Sequence, residues 1–430
     1  MNKDLFNYWK PFLKLDLNNM KDIKDLNINF GPQHPAAHGV LRLILQLRNE
    51  LIERTDTHIG YLHRGSEKLI ENKNYLANLP YFDRMDYISV LTQEHSYCLA
   101  IEHLIGVKNY QMEYTQIRVL FDEFTRILNH IFAITTHSLD VGCMAPAFWG
   151  FEEREKIMEF YERVSGARMH TAFYRPNESS YNYITKSLIK DILSFIRGFL
   201  KRIMMIENKL MMTSIWKYRL SYVGMFTPEF INSWGITGVL ARSGGIKRDI
   251  RLSFYETYAS YSYLNIRSFV SYNGDCYDRY LLRMREIVES VHIILQIINK
   301  LNLNYFKQSI CSSFDNFYFN YLSKNNIITS LSNFKKSWYN NMEYLINHFK
   351  NYSEGFNLKS GFIYKSVEGP KGENGVTLIS NGSSKPFKCK IKSASYYNLQ
   401  SLNAILQGHF FADLVTIIGS QDIVMGEVDR

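Results

Sequence analysis

The stretch EYTQIRVLFDEFTRILNHIFAITTHSLD, residues 113–140, decides how the rest of the chain is read. Within it Ile117, Leu120, Phe121, Phe124, Ile127, Leu128, Ile131 and Ile134 are separated by 3, 1, 3, 3, 1, 3 and 3 positions. That spacing is the stripe of an α-helix lying with one side on a core. Helical patterns continue outward. FEEREKIMEFYERVSGAR (151–168) should stop near Gly166, and 183–214 and 276–302 supply two more long helices. Between these, GVLARSGGIKRDIR (238–251) lacks the phosphate-cradling pattern and reads as a turn or partner contact. Strand patterns are confined to the flanks. VLRLILQLR (40–48) alternates Leu41, Leu43, Leu45 and Leu47 with Arg42, Gln46 and Arg48, a strand with one buried face. NINF (27–30) and LIERTDTHIGYL (51–62) read as its neighbours, and FIYKSVEGPKGENGVTLISNG (362–382) as a hairpin around a Gly/Pro loop. A short helix (398–407) and a tail follow. The expected fold is mainly α (α+β), a helical bundle with small β units near the N- and C-termini. The expected division is an N-terminal arm (1–25), an N-terminal β unit (26–62), a helical bundle (63–360) and a C-terminal hairpin, short helix and tail (361–430). Residues 303–360, rich in Asn, Phe and Tyr, show the least pattern.

The composition of the 430 residues, 46% apolar and 21% charged, is that of a globular protein. The formal charge of +9 would suit nucleic acid, anionic lipid or acidic proteins. No RNP motif, zinc finger or dense Lys/Arg block accompanies it, so no nucleic-acid partner is expected. No run of about 18 apolar residues occurs, so no transmembrane helix is expected. The opening MNKDLFNYWKPFLKLDL contains acids and has neither a signal-peptide core nor an Arg-rich presequence, so the protein should work where it is made. Five cysteines are scattered, Cys276 and Cys311 being the nearest pair, and no CxxC occurs. No Fe–S or zinc site built by this chain alone is expected, and the compartment should be reducing.

Four stretches combine titratable and turn residues in ways that a core does not require. The first is GPQHPAAHG (31–39), where two prolines and two glycines surround His34 and His38. Pro35 between the histidines argues against a helical metal pair, and the loop reads as a device that delivers a histidine. The others are HRGSEK (63–68), YFDRMDYIS (81–89) and THSLDVGCMAPAFWGFEEREK (136–156). In the last, Asp140 sits at a helix C-terminus, where an acid opposes the dipole and calls for a cationic partner. His38 is a candidate.

Taken together, NFGPQHPAAHGVLR, HIGYLHRGSEK, YFDRMDYIS, DVGCMAPAFWGFEEREKIMEFYERVSGARMH, GVLARSGG, GDCYDRYLLRMREI, EGPKGENGV and QDIVMGEVDR resemble the hydrogenase-related 49 kDa subunit family of respiratory complex I. The resemblance runs in order over about residues 27–430. It implies a bundle of the nickel–iron hydrogenase large-subunit type and an enzyme function as a subunit of the proton-translocating NADH:ubiquinone reductase. Ubiquinone would be the substrate, and this chain would form its pocket beside a terminal [4Fe–4S] cluster held by a partner subunit. NADH and FMN would bind elsewhere in the complex. His38 and Tyr87 would serve the quinone headgroup, with Asp140 paired to His38. Arg64, Arg84 and His170 would lie close to the cluster. His34 is read as structural. The partners implied are the cluster subunit, other peripheral-arm subunits and a membrane-arm subunit at the quinone entrance. The location implied is the matrix side of the mitochondrial inner membrane, or else a bacterial cytoplasmic membrane; 30 Tyr and 28 Phe beside abundant Asn, Ile and Lys look like AT-rich coding bias and suggest mitochondrial encoding.

A rival function, a nickel–iron centre, would need two CxxC motifs. Their registers read Arg84-Met85-Asp86-Tyr87-Ile88-Ser89 and Asp422-Ile423-Val424-Met425-Gly426-Glu427. Asp86, Ser89, Val424 and Glu427 stand where the thiolates would be, so the soft donors are missing and no metal site is expected. A third reading, a scaffold without redox role, is separated by whether Tyr87 and His38 matter for turnover.

Overall fold

A computed structural model describes residues 25–37, 39–106, 112–176, 184–253, 255–301 and 342–430. The arm read at residues 1–25 falls outside these apart from Asp25, as do His38 and most of the pattern-poor segment after 302.

Strands β1 (Asp25–Phe30), β2 (Arg42–Arg48) and β3 (Leu51–His58) form one antiparallel sheet in that order. Leu43, Leu45 and Leu47 all point inward from β2, as the alternation requires. Short helices α1 (Ser66–Asn72) and α2 (Leu79–Asp83) lead to the bundle of α3 (Val90–Ile105), α4 (Met112–Asp140), α5 (Met144–Ser165) and α6 (Lys186–Met212). Three short helices, α7 (Ser214–Leu220), α8 (Pro228–Trp234) and α9 (Val239–Ser243), precede the long α10 (Cys276–Lys300), and α11 (Met342–Ser353) follows. A second antiparallel sheet, β4 (Gly361–Glu368), β5 (Glu373–Ser380) and β6 (Lys388–Lys392), lies against α3. The chain closes with α12 (Ala394–Gln400), α13 (Leu402–Ile405), α14 (Phe411–Gln421) and α15 (Met425–Asp429).

The architecture is mainly helical with a small sheet near each end, as the sequence predicts. Helix α4 is its axis, packed by α5, α10 and α14. The apolar stripe is buried throughout, but the other sides of α4 are buried as well. Its polar residues are therefore neutralised in pairs: Arg118 with Glu102 at 2.6 Å, Arg251 with Glu123 at 3.2 Å, His95 with Asp122 at 2.5 Å and His130 with Glu286 at 2.9 Å.

Some elements begin or occur where no pattern marks them. Helix α5 starts at Met144, a turn or more ahead of 151, because Pro146 falls in its first turn, where a missing N–H costs nothing. It does end at Gly166, which takes the left-handed conformation. The basic loop 238–251 contains α9, and the stretch between the short helix and the tail is α14.

Candidate functional site

The loop 31–39 folds back on itself. Gly31 has φ 82°, and a Cβ there would lie 2.1 Å from the Leu41 carbonyl oxygen, so only glycine lets the two backbones meet. The peptide bond Gly31–Pro32 is cis. A short 3-10 turn, Pro35–Ala37, packs against α14, and the Phe30 ring meets Phe411 edge-on at 6.2 Å. His34 is used locally: its Nδ1 accepts from the Ala36 N–H at 3.2 Å and its ring lies 4.3 Å from Phe30. That arrangement is structural, as read from the sequence. The loop is thus anchored on α14, and His38 lies outside the described residues.

Asp140 ends α4 beside Gly419 of α14. A Cβ on Gly419 would lie 2.9 Å from His137 Cδ2 and 3.3 Å from Asp140 Oδ2, so the glycine makes room for both side chains. Among the described residues Asp140 has neither an ion pair nor a hydrogen bond. Burial alone pushes its carboxyl up to about 6. His137 is not the missing cation. Burial beside Arg283 and Arg279 drives its imidazole down to about 3, so it is neutral.

Tyr87 lies half-buried in the link between α2 and α3. Its hydroxyl makes no hydrogen bond among the described residues. Burial raises its pKa and Asp86 adds to this, while Lys371 and Arg64 oppose it. Behind the ring is a fully buried polar chain. Asp86 accepts from Ser89 Oγ at 2.5 Å, from the Ser89 and Ile88 N–H groups at 3.3 and 3.2 Å, and from Lys371 Nζ at 2.9 and 3.1 Å. Lys371 also donates to Asn129 Oδ1, and Asn129 Nδ2 donates to Asp422 Oδ2 at 2.6 Å. Lys371 sits at the tip of the β4–β5 hairpin, which is fixed because Gly372 abuts Gly238 backbone to backbone. Asp422 terminates α14 in the left-handed conformation, with φ 52°. Helix α14 thus touches the loop turn, seats Asp140 at Gly419 and ends at the charges behind Tyr87.

The registers compared with a nickel–iron centre do come together. A Cβ on Gly426 would lie 2.6 Å from the Met85 carbonyl oxygen. Ser89 donates to Asp86, which also accepts from Lys371, and Glu427 accepts from the Ala394 N–H at 3.1 Å and Ser395 Oγ at 2.6 Å. Burial next to Asp86 pushes Glu427 up to about 7. An ammonium held by the Asp86 carboxylate and the Asn129 amide occupies this cradle, with no thiolate in it.

Arg64, Arg84 and His170 form a separate group on the surface end of α2. Arg64 Nη2 donates to the Arg84 carbonyl at 2.7 Å, Arg84 Nη1 to the Pro80 carbonyl at 2.9 Å, and His170 Nδ1 meets the Asp83 carbonyl at 3.2 Å. Arg64 is carried there by residues 60–63. The Asp429 carboxylate accepts from the Gly60 and Leu62 N–H groups at 3.0 and 2.8 Å, and His63 Nδ1 bonds the Asp429 carbonyl at 2.7 Å.

The 49 kDa subunit family of respiratory-chain NADH dehydrogenase matches residues 140–430. The NADH-ubiquinone oxidoreductase 49 kDa subunit of Paramecium tetraurelia is 52% identical over 408 residues, 95% of this chain and 100% of that one. The chain belongs to the 49 kDa subunit family of respiratory-chain NADH dehydrogenase. It is a subunit of that enzyme, complex I, and its partners are the other subunits. The 49 kDa subunit of Reclinomonas americana is 50% identical over 95% of this chain and 98% of its own length. The NADH dehydrogenase [ubiquinone] iron-sulfur protein 2 of Arabidopsis thaliana is 46% identical over 95% of this chain and 99% of its own. Among the described residues of this complex I subunit, no group of three His, Cys, Asp or Glu side chains could hold a metal ion. No helix among them is long and apolar enough to cross a membrane.

What the sequence missed is the buried set behind Tyr87: Lys371, Asn129, Asp422 and the bonded state of Asp86. The one available signal was that a lysine inside a Gly/Pro hairpin tip, EGPKGE, has no packing reason to be there.

Proposed function

We propose that this chain forms the quinone-reduction pocket of complex I, with Tyr87, His38 and Asp140 serving the quinone headgroup. The observation that carries the reading is the Tyr87 hydroxyl. It is half-buried, without a partner among the described residues, and backed by the fixed Lys371 ammonium. Reduction of a quinone to a quinol takes up two electrons and two protons at two oxygens on opposite sides of the ring, so two separate donors suit it. Tyr87 supplies an O–H on one side, and the nearby ammonium favours negative charge developing there. His38, carried by the loop anchored on α14, serves the other side. Asp140, half-buried and unpaired among the described residues, holds His38 protonated until the proton is needed. Loss of that proton leaves Asp140 without its cation, a charge change that biases the loop and links quinone chemistry to proton translocation.

The electrons come from a [4Fe–4S] cluster held by a partner subunit beside Arg64, Arg84 and His170. NADH and FMN act elsewhere in the complex. A membrane-arm subunit closes the quinone entrance, and other peripheral-arm subunits complete the surroundings. The assembly sits on the matrix side of the mitochondrial inner membrane.

Tyr87→Phe tests the reading because it removes one hydroxyl and keeps the ring. Loss of a hydrogen bond worth roughly 1–3 kcal/mol at a reacting group lowers quinone reduction by about one to two decades. NADH oxidation by an artificial acceptor stays at the wild-type rate. A Tyr87→Phe complex that assembles and reduces quinone at full rate makes Tyr87 a packing residue and overturns the assignment.

A further inference from the structure

Asp83 and Glu94 are two fully buried carboxyls to which the quinone reading gives no role. Both grip the stretch that carries His170. Asp83 Oδ2 accepts from the Ala172 N–H at 2.8 Å, and its backbone carbonyl is the partner of His170 Nδ1. Glu94 Oε1 accepts from Thr171 Oγ1 and Oε2 from the Tyr174 N–H, each at 2.8 Å. Between these anchors Ala172 is held at φ 41°, a conformation a non-glycine residue keeps only when its surroundings impose it.

The remaining oxygen, Asp83 Oδ1, is buried with no donor among the described residues. The Glu94 carboxyl is a direct neighbour of the Asp83 carboxyl, and the two groups interact. Arg84 and His170 lie near Asp83 but form no ion pair with it. The other titratable groups around the pair are Cys98 one turn along α3, Tyr174, and Tyr161 of α5, all driven upward by burial and so neutral near pH 7. His95, the next residue on α3, is turned to Asp122. Two carboxylates in contact in a dry interior cannot both stay ionised.

We propose that Asp83 and Glu94 hold one proton between them, and that the single negative charge left on the pair positions His170 and sets the pH range in which His170 takes up a proton. The proton supplies the donor that Asp83 Oδ1 otherwise lacks. The residual charge is shared by the two anchors of the 171–174 backbone. The role assigned to His170 rests on the proposed cluster-side reading of that residue, whereas the shared proton stands on the carboxyl geometry alone. Asp83 and Glu94 are positioning residues.

The test uses the intact complex and two readouts. In the infrared spectrum, the carbonyl stretch of a buried protonated carboxylic acid is present in the wild type. It disappears in Asp83→Asn and in Glu94→Gln, each of which leaves one carboxylate facing an amide N–H. In a redox titration, the midpoint potential of the cluster is followed against pH. Each single amide keeps the pair at one negative charge, so the pH at which the slope changes stays put. The double variant Asp83→Asn/Glu94→Gln removes the charge, so His170 loses a proton more easily. The break moves to lower pH by about one unit or more, and the potential at high pH rises. Equal shifts from each single variant that add in the double would mean two ionised carboxylates and overturn the proposal. A double variant that leaves the break unmoved would overturn the link to His170. His170→Met separates the two readings: if it leaves the slope unchanged, the cluster-side role of His170 fails and the positioning claim with it, while the infrared band still decides the shared proton.

Discussion

Lys371→Met is the perturbation whose size the structure fixes most closely. The side chain is 1% exposed, and its ammonium lies 2.9 and 3.1 Å from the two Asp86 oxygens, with Asn129 as a third partner. Burial alone would lower a lysine's pKa, but Asp422, Asp86 and Glu427 raise that of Lys371, so the cation persists at any physiological pH. Methionine keeps an unbranched stem of similar reach and removes the charge. Asp86 then keeps its bonds from Ser89 and Ile88 and loses its ion-pair partner. Breaking a buried pair in this way costs about 3–5 kcal/mol. Against the 5–15 kcal/mol that typically holds a domain, that is a large share. The expected result is a sharp fall in the thermal stability of the assembled complex and in the amount of this chain incorporated. Asp86→Asn in the same chain removes the stranded charge and should restore about 2–3 kcal/mol of the loss, a strongly non-additive cycle. Quinone reduction by whatever Lys371→Met complex assembles should fall too, because the cation that opposes the rise in the Tyr87 pKa is gone. If Lys371→Met melts like the wild type, or if Asp86→Asn adds its own separate cost, the buried ion pair does not hold this site together.

The remaining expectations concern protons and packing. Glu427, pushed up to about 7, binds its proton more tightly folded than unfolded, so its contribution to stability is present below about pH 4.5 and is lost as pH rises to about 7. Glu427→Gln should flatten the melting temperature across that window, and parallel curves for variant and wild type would refute the assignment. His38→Ala and Asp140→Asn should each slow quinone reduction, and the double variant should be no worse than the more severe single one. Full additivity would separate the two residues. Gly426→Ala places a methyl 2.6 Å from the Met85 carbonyl oxygen, a backbone atom that cannot swing away, so about 1–3 kcal/mol of stability should be lost in thermal unfolding.

The long helices were legible because one apolar side writes a period into the sequence, and α4, α6 and α10 appear close to where their stripes predict. Helix α14 was not, because FADLVTIIGSQ is buried on several sides and so has no polar face to set a period. Tyr87, Asp140, Arg64 and Arg84 could be singled out because each sits in a short stretch dense in turn and titratable residues, whereas His170 came only from the family resemblance. The pair Asp86–Lys371 could not, since its members are 285 positions apart and neither stretch implies the other. The polar side of α4 shows the same limit. Nothing local tells that Arg118, Glu123 or His130 is buried, because each is made tolerable by a residue on another element.

The grip of Asp429 on Gly60 and Leu62 has a consequence in time. The residues it joins are separated by 369 and 367 positions. Chains emerge at about 5–20 residues per second and fold from the N-terminal side, so residues 60–63 wait roughly twenty seconds to over a minute for their partner. Contacts of such long range form late, after the bundle between them has closed. Until then the N–H groups of Gly60 and Leu62 are open to water, and Arg64 has no fixed seat. The seat of Arg64, beside Arg84 and His170, is therefore settled only once Asp429 is in place, among the last of the described contacts to form.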